Sequence, residues 1–465
     1  MSRARFLKLS ATGFLGLMSL NACLKPDFGD EENLGNIRVI CLADLHSSHR
    51  HFPRIINFIE QTSQQSKDKL LVLINGDIFE SSNKVAIRSR GALEWYFLER
   101  LSKMAQVVVN LGNHEGGIED DFRTVADNLR KLDIAVLSSI KSSTDGRHLG
   151  APAISLMQNN QLVRIIGLSC SNQAAYRPVH RNRWIFPDPA GYLRENTGSL
   201  LHNGAVHIVM NHDGLITDKE ILNLMPVGSI FLGGHDHLRA HSQTHSHLAL
   251  HTSWGGHLCD VIDIGAATDK DPRSYAITTV EFDEHLNEDE PMVQMIRSRE
   301  TQHLSTAERD LAGAYNQRVT PTRFLTNTVT WFRQHTKTDA VFINNTTFGP
   351  VLPNGKVRYY DIENTIRFDS RLFATSVRGS QLKTICARSN QFNNFSWEER
   401  TGEFVVGVFP SAIDPFATYR IAVNEWVAQP DNQLHFLGIN DLHFEELTHE
   451  PSMREIVAIR LPGHV

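Results

Sequence analysis

Seven side chains able to bind hard and borderline cations fall in five short blocks, each placed just after an apolar run. The blocks are Asp44-Leu45-His46, Gly76-Asp77, Gly112-Asn113-His114-Glu115, Asn211-His212-Asp213 and Gly234-His235-Asp236-His237. The runs before them are Ile37 to Leu42, Leu70 to Ile74, Val107 to Leu111, Val206 to Val209 and Ile230 to Leu232. Runs of this length and composition predict buried strands. Carboxylate, amide oxygen and imidazole together suit manganese, iron, cobalt or zinc better than calcium or magnesium, which favour oxygen cages. In an open α/β sheet the carboxyl ends of the strands face one crevice, so ligands nearly two hundred positions apart can meet there.

Taken singly, each block is weak. An Asp-x-His more often marks a turn, and a histidine at a strand end is more often a hydrogen-bonded core residue. Five blocks in order, each at a strand end, resemble the signature D-x-H, G-D, G-N-H-E, x-H, G-H-x-H of the calcineurin-like metallophosphoesterases from Asp44 to His237. That resemblance implies a four-layer α/β sandwich, two mixed β-sheets flanked by helices. It further implies two adjacent divalent metals, one on Asp44, His46, Asp77 and His237, the other on Asp77, Asn113, His212 and His235, with Asp77 bridging. Asn113 and His114 are the residues it implies for catalysis. A hydroxide bridging two such cations is available near neutral pH and is the implied nucleophile towards a phosphoryl centre. His114 would bind the phosphoryl oxygen or protonate the leaving group.

The second half resembles a 5'-nucleotidase C-terminal domain, also α/β. Asp339 to Asn344 ends a strand where that family has an Asn opening N-G-G-x-I-R, and Thr418 to Trp426 resembles T-Y-R-V-A-T-N-D-F. The implied substrate is a small nucleotide-like phosphomonoester. Departures bear on that implication. Asn345-Thr346-Thr347-Phe348-Gly349 lacks the glycine pair and arginine, Ile366-Arg367-Phe368-Asp369-Ser370 replaces L-P-F-G-N, and Gln429-Pro430-Asp431-Asn432 replaces G-G-D-G. Phe368 and Trp426 stand where a ring could stack on a base, although core packing is the expectation for each. Arg358, Arg367 and Arg371 are available to a phosphate, and surface arginines usually do nothing so specific. The family's G-N-H-E-F-D has an Asp three residues after its His, where this chain has Gly117. Glu119, Asp120 and Asp121 are the acids left to orient His114.

Around these motifs, 465 residues predict about two domains. A formal charge of -6 without a Lys/Arg block gives no footprint for a nucleic acid polymer. Arg3, Arg5 and Lys8 precede an apolar stretch from Leu9 to Leu20 that ends Asn21-Ala22-Cys23. Residues 1–23 are therefore expected to be a signal peptide with a lipobox, giving an exported lipoprotein, periplasmic or on the cell surface, anchored in the membrane through Cys23. An uncleaved hydrophobic anchor is the alternative. The expected organisation continues with a tether over 24–36, the metallophosphoesterase domain over 37–298, a linker over 299–319 with helical spacing at Leu304, Leu311 and Tyr315, and the C-terminal domain over 320–465. Helices are expected over 52–64, 89–104, 120–132 and 322–335. Trp254-Gly255-Gly256 is expected to be a glycine turn near the crevice edge. Cys41, Cys170, Cys259 and Cys386 have no metal-finger spacing, and their pairing is undecided. Two other functions fit the motifs: a phosphodiesterase or nucleotide-sugar pyrophosphohydrolase using the same metals, and a non-catalytic surface binding lipoprotein.

Overall fold

The structure, a computed structural model, describes residues 37–66, 69–244, 246–265, 274–317, 319–392 and 395–461. The expected signal segment, Cys23 and the tether lie outside the described residues. Residues 37–461 belong to one compact unit.

All five apolar runs are strands: Ile37–Ala43, Leu71–Asn75, Gln106–Asn110, Val206–Asn211 and Ser229–Gly233. The first three lie side by side and parallel in a six-stranded sheet completed by Ala135–Leu137 on one edge. Leu258–Ile264 and Tyr275–Glu281 add on antiparallel at the other edge. The last two lie side by side and parallel in a second six-stranded sheet, between Gln161–Leu168 and His247–Thr252, with antiparallel strands at both edges.

Period-two alternation then decides the layers. Ile37, Val39 and Cys41 point between the sheets and pack with Leu71, Leu73, Ile208, Met210 and Ile230. Ile40 and Leu42 point the other way, into a core shared with Phe52, Ile55 and Ile56 of the helix Phe52–Gln65 and with Phe97 and Leu101 of the helix Ala92–Met104. Helices Pro189–Leu200 and Leu215–Ile221 cover the far face of the second sheet. The result is helix, sheet, sheet, helix, as the resemblance implies.

Two elements depart from the sequence reading. The helix expected over 89–104 starts later, at Ala92: Ser89 ends a separate short helix, Lys84–Ser89, and the chain turns between the two through Arg90 and Gly91, with φ of 52° and 70°. A side chain at 91 would be crowded as well as strained, since a Cβ there would lie 2.7 Å from Ile118 Cδ1. Leu311 and Tyr315 belong to a strand, Leu311–Tyr315, paired with Gly355–Arg358, where helical spacing was the expectation.

In the second half a five-stranded mixed sheet runs in the order Val405–Val408, Ala340–Asn344, Thr418–Asn424, Leu372–Arg378, Glu445–Glu446. Helices Pro321–Thr336 and Met453–Arg460 cover one face, and Gly379–Arg388 and Pro430–Leu437 the other. The first of these cores also takes in Leu215, Leu238 and Trp254, so apolar packing is continuous between the halves. Cys41, Cys170, Cys259 and Cys386 are all free thiols, three of them buried. Among the described residues no helix is long and apolar enough to cross a membrane.

Candidate metal centre

Every strand that precedes a motif delivers it at its carboxyl end, and the two sheets are tied together there by buried amides. Asn75 donates to the carbonyls of Asn211 (2.9 Å) and Leu232 (2.7 Å). Asn110 donates to Asn75 Oδ1 (2.9 Å) and to the carbonyls of Leu168 and Met210. Buried amide N–H groups paired in this way favour one arrangement, because leaving them unpaired in the interior is costly. They set the spacing between motifs that come from different sheets.

The chain leaves the strands in an unusual conformation. Asp44, His46, Asp77, His235 and His237 all have positive φ, between 44° and 80°. Each such non-glycine residue costs on the order of 1–3 kcal/mol and persists only where its surroundings enforce it. Here the enforcement is visible: Asp44 N donates to Gly76 O, His46 N to Asp77 O and Gly255 N to Asp44 O. The motif glycines leave room for the ligands themselves. A Cβ on Gly112 would lie 2.7 Å from His212 Nε2 and 2.8 Å from Asp77 N.

The seven predicted side chains converge. Three overlapping sets have ligand atoms within 4.8 Å of one another: Asp44, His46 and His237; His46, Asp77 and His114; Asp77, His212 and His235. Asp77 Oδ2 stands 3.2 Å from His212 Nε2 and 3.7 Å from His46 Nε2, between the two groups of histidines. Asn113 Oδ1 is 3.0 Å from His235 Nδ1, which brings the amide into the same cluster. The acidic neighbours Asp213 and Asp236 serve elsewhere: Asp213 accepts from Ser171 N and Asp236 from Leu215 N.

The donor set fits divalent cations, and its electrostatics are those of a site built around positive charge. His46 Nε2 and His237 Nε2 face each other at 2.8 Å, and His237 Nδ1 is buried without a hydrogen-bond partner. Burial pushes Asp44 up to about 7, with Asp77 adding to the rise against His212. Asp77 goes the other way: burial would raise it, and His212 and His114 hold it well below the usual carboxylate range. His212, resisted by burial, is drawn up to about 10 by Asp77 and Asp44. Burial and then the Arg367 guanidinium lower His46 to about 3. Two buried carboxylates that polarise their neighbours this strongly are the arrangement a cation relieves.

Several residues at the site have no signal in the motifs. Glu115, inside a motif but outside the ligand set, accepts from Ile78 N (2.8 Å) and Gly112 N (2.7 Å) and so ties two ligand loops together. Glu80, three residues after Asp77, places Oε2 3.2 Å from His46 Nδ1 and 3.6 Å from His114 Nδ1. Trp254 stacks on His237 with centroids 6.0 Å apart and rings nearly parallel, while its Nε1 donates to Gly349 O. The Trp254-Gly255-Gly256 turn is therefore a floor under the site as well as a turn.

In the second half the three arginines separate. Arg358 is paired with Glu300 and Asp361, and Arg371 with Glu446, all away from the cluster. Arg367 is 3% exposed and enters the site, with Nη1 3.3 Å from His237 Nε2 and Nη2 3.4 Å from His114 Nε2. The expectation for Phe368 is corrected: it is 47% exposed, over the Arg367 guanidinium and 6.4 Å from the His114 ring. Of the two neighbours it is Arg367 that is buried. Trp426 does pack against a core. Of the acids offered as partners for His114, Asp120 pairs with Arg177 and Asp121 caps the helix Phe122–Lys131, while the Glu119 backbone carbonyl accepts from Arg177.

Comparisons with known proteins agree with this geometry. Residues 37–239 match the family model for calcineurin-like phosphoesterases, and residues 300–437 that for the 5'-nucleotidase C-terminal domain. Among curated proteins none matches the chain. Of solved structures, a 5'-nucleotidase precursor from Thermus thermophilus is similar at 17% identity and a TM-score of 0.59, over 91% of this chain and 96% of that one. A Thermus thermophilus sulfate thiohydrolase, SoxB, is similar at 13% identity and a TM-score of 0.62, over 93% and 94%. A 5'-nucleotidase from Candida albicans is similar at 10% identity and a TM-score of 0.58, over 92% and 98%.

Proposed function

Because the chain belongs to the calcineurin-like phosphoesterases and carries a 5'-nucleotidase C-terminal domain, and so is a metal-dependent phosphoric ester hydrolase, we propose that it hydrolyses a small, nucleotide-like phosphomonoester. The observation that carries the reading is the convergence of Asp44, His46, Asp77, Asn113, His212, His235 and His237 from five strand ends onto one buried cluster. Two divalent cations held there, of manganese, iron, cobalt or zinc, would lower the pKa of a water and offset charge on the phosphoryl oxygens.

The rest of the work falls to the chain. Asp77, between the two histidine groups, shares its carboxylate and keeps the two halves of the ligand set together. Asn113 supplies a neutral oxygen beside His235. His114 is held by its own backbone, whose N–H donates to Asp77 Oδ1 at 2.8 Å, so its ring has a fixed origin at the edge of the cluster. From there it gives a proton to the departing alkoxide, or donates to the phosphoryl oxygen as charge builds. Trp254 and Arg367 shut water out from below and from the second half, which strengthens every charge interaction inside.

Phe368, exposed at the rim beside His114, offers the leaving group an aromatic face and supports a nucleoside over a bare alkyl chain. Export as a lipoprotein acylated at Cys23 completes the proposal and rests on the basic, apolar and Asn21-Ala22-Cys23 segments of the sequence.

The test is an assay of metal-loaded protein against nucleoside monophosphates, other monoesters, diesters and nucleotide sugars. Preferred turnover of nucleoside monophosphates is the expected result. Preferred turnover of diesters or nucleotide sugars would assign the alternative hydrolase, and uniform inactivity with metal bound would assign the binding lipoprotein.

A further inference from the structure

Two halves of a chain move against each other by default unless the surface between them is extensive and apolar. Here an apolar core runs through that surface. Leu215, Leu238 and Trp254 of the first half share one core with Phe324, Phe348 and Phe404 of the second. In the other direction, Tyr360 of the second half belongs to the core of the first.

Polar contacts close the seam at three further places. After Asp77, Arg367 Nε donates to Glu80 Oε2 (2.6 Å), the Tyr360 hydroxyl donates to Asn83 Oδ1 (3.0 Å), and Lys84 Nζ stands 2.5 Å from Glu363 Oε1. At the loop carrying His235 and His237, Asn345 Nδ2 donates to Asp236 O (2.7 Å) and Trp254 Nε1 to Gly349 O (3.2 Å). Beyond these, Lys219 of the helix Leu215–Ile221 donates to the carbonyls of Glu398 and Arg400. Apart from the lysine contacts, the side chains named are buried. Parting the halves would strip all of them of their partners together, and a buried polar group left unpaired is costly.

The cluster has an edge of its own, away from that seam. Asp44, His46, Asp77, Asn113, His212 and His237 are buried, whereas His114 and His235 are partly exposed and Phe368 is exposed beside His114. A phosphoryl group can approach there with every contact between the halves in place.

We infer that the two halves stay fixed to each other through turnover, and that substrate enters and product leaves at the edge formed by His114, His235 and Phe368. The second part rests on the phosphoester hydrolase reading, and the first concerns the fold alone.

The test joins the halves covalently. Lys84→Cys with Glu363→Cys is made in the full chain with Cys386→Ser, which leaves only buried native thiols among the described residues. A short bis-maleimide containing a disulfide then ties residues whose side chains already meet and which take no part in the cluster. Turnover of p-nitrophenyl phosphate at saturating metal is expected to stay within about twofold of the unlinked double variant, in kcat and in KM, because a cycle without opening loses nothing to the link. A larger loss that reduction of the linker reverses would overturn the inference.

A second measurement needs no activity. Met157 and Phe416, 65% and 89% exposed, carry one spin label in each half after Met157→Cys and Phe416→Cys in the same Cys386→Ser chain. Pulsed electron paramagnetic resonance is expected to give one distance, unmoved when zinc and inorganic phosphate are added, and a second or shifted population would overturn the inference. Should the natural protein hydrolyse no ester, the hydrolase reading fails by itself, and the distance still decides whether the halves are fixed.

Discussion

Glu80 Oε2 stands 2.6 Å from Arg367 Nε, joining a carboxylate of the Asp77 loop to a guanidinium 287 residues later beside the metal cluster. The site is therefore a joint product of two halves that the sequence presents as separate domains. Arg367 also lowers His46 and His237, second to burial in the first and after burial and His46 in the second.

Removing the His114 ring leaves the seven proposed ligands in place. His114→Ala is expected to bind metal as the natural protein does and to lose roughly 10²–10⁴-fold in kcat, the usual weight of one acid-base group. Elemental analysis beside steady-state assays checks this, and unaltered turnover would remove the role.

Room for Asp77 depends on a missing side chain. A Cβ at Gly112 would approach the Asp77 carboxylate and lie 2.8 Å from its backbone nitrogen, so Gly112→Ala must displace the proposed bridging ligand. The expected outcome is a metal affinity at least about tenfold weaker with an unchanged far-ultraviolet spectrum. Calorimetric metal titration measures it, and natural affinity in the variant would show that Asp77 has slack.

Asn345 holds the last ligand loop from the second half. Its Nδ2 donates to Asp236 O at 2.7 Å, between His235 and His237, and its Oδ1 accepts from Phe404 N at 2.9 Å. Asn345→Ala leaves both groups buried and unpaired, and is expected to cost about 1–3 kcal/mol in urea unfolding and to weaken metal binding. A loss of stability with metal affinity unchanged would separate the interface from the site.

How much of this was legible in the chain follows from what each signal depends on. The five strands and their order were readable because continuous apolar runs ending in Asp, Asn or His carry local information, and the structure places all five where they were expected. The turn before Ala92 shows where local patterning fails: Arg90 and Gly91 take positive φ there, which the apolar spacing of the segment does not carry. Glu80 lay outside every motif, Arg367 stood in the sequence as one of three arginines available to a phosphate, and nothing in the spacing of residues 80 and 367 links them. Phe368 departs from the expected core packing: it is 47% exposed, with its ring against the buried Arg367 guanidinium, a contact that the residue types alone do not reveal.

Away from the ligands, the pair His251 and Asp218 gives the fold a pH dependence. His251 Nε2 is 2.6 Å from Asp218 Oδ2, and although burial opposes its charge, Asp218 raises it above the ordinary value of 6.5, with Asp236 and Asp44 adding. The folded protein therefore holds this proton more tightly than the unfolded chain. The stabilisation is complete below the unfolded value and is lost as pH rises through the folded one. Urea unfolding at several pH values from about 6 upwards is expected to show this decline in the natural protein and a smaller one in Asp218→Asn. Parallel profiles would contradict the assignment.

The central claim is that these seven side chains hold two cations sharing Asp77, and electron paramagnetic resonance of the manganese-loaded protein tests it most directly. Two ions roughly 3.5–4 Å apart on one carboxylate are magnetically coupled. The account predicts about two manganese ions per chain with a coupled spectrum that gives way to that of isolated ions in Asp77→Asn. A natural protein that binds one ion or none, or whose spectrum is that of isolated ions, would contradict it.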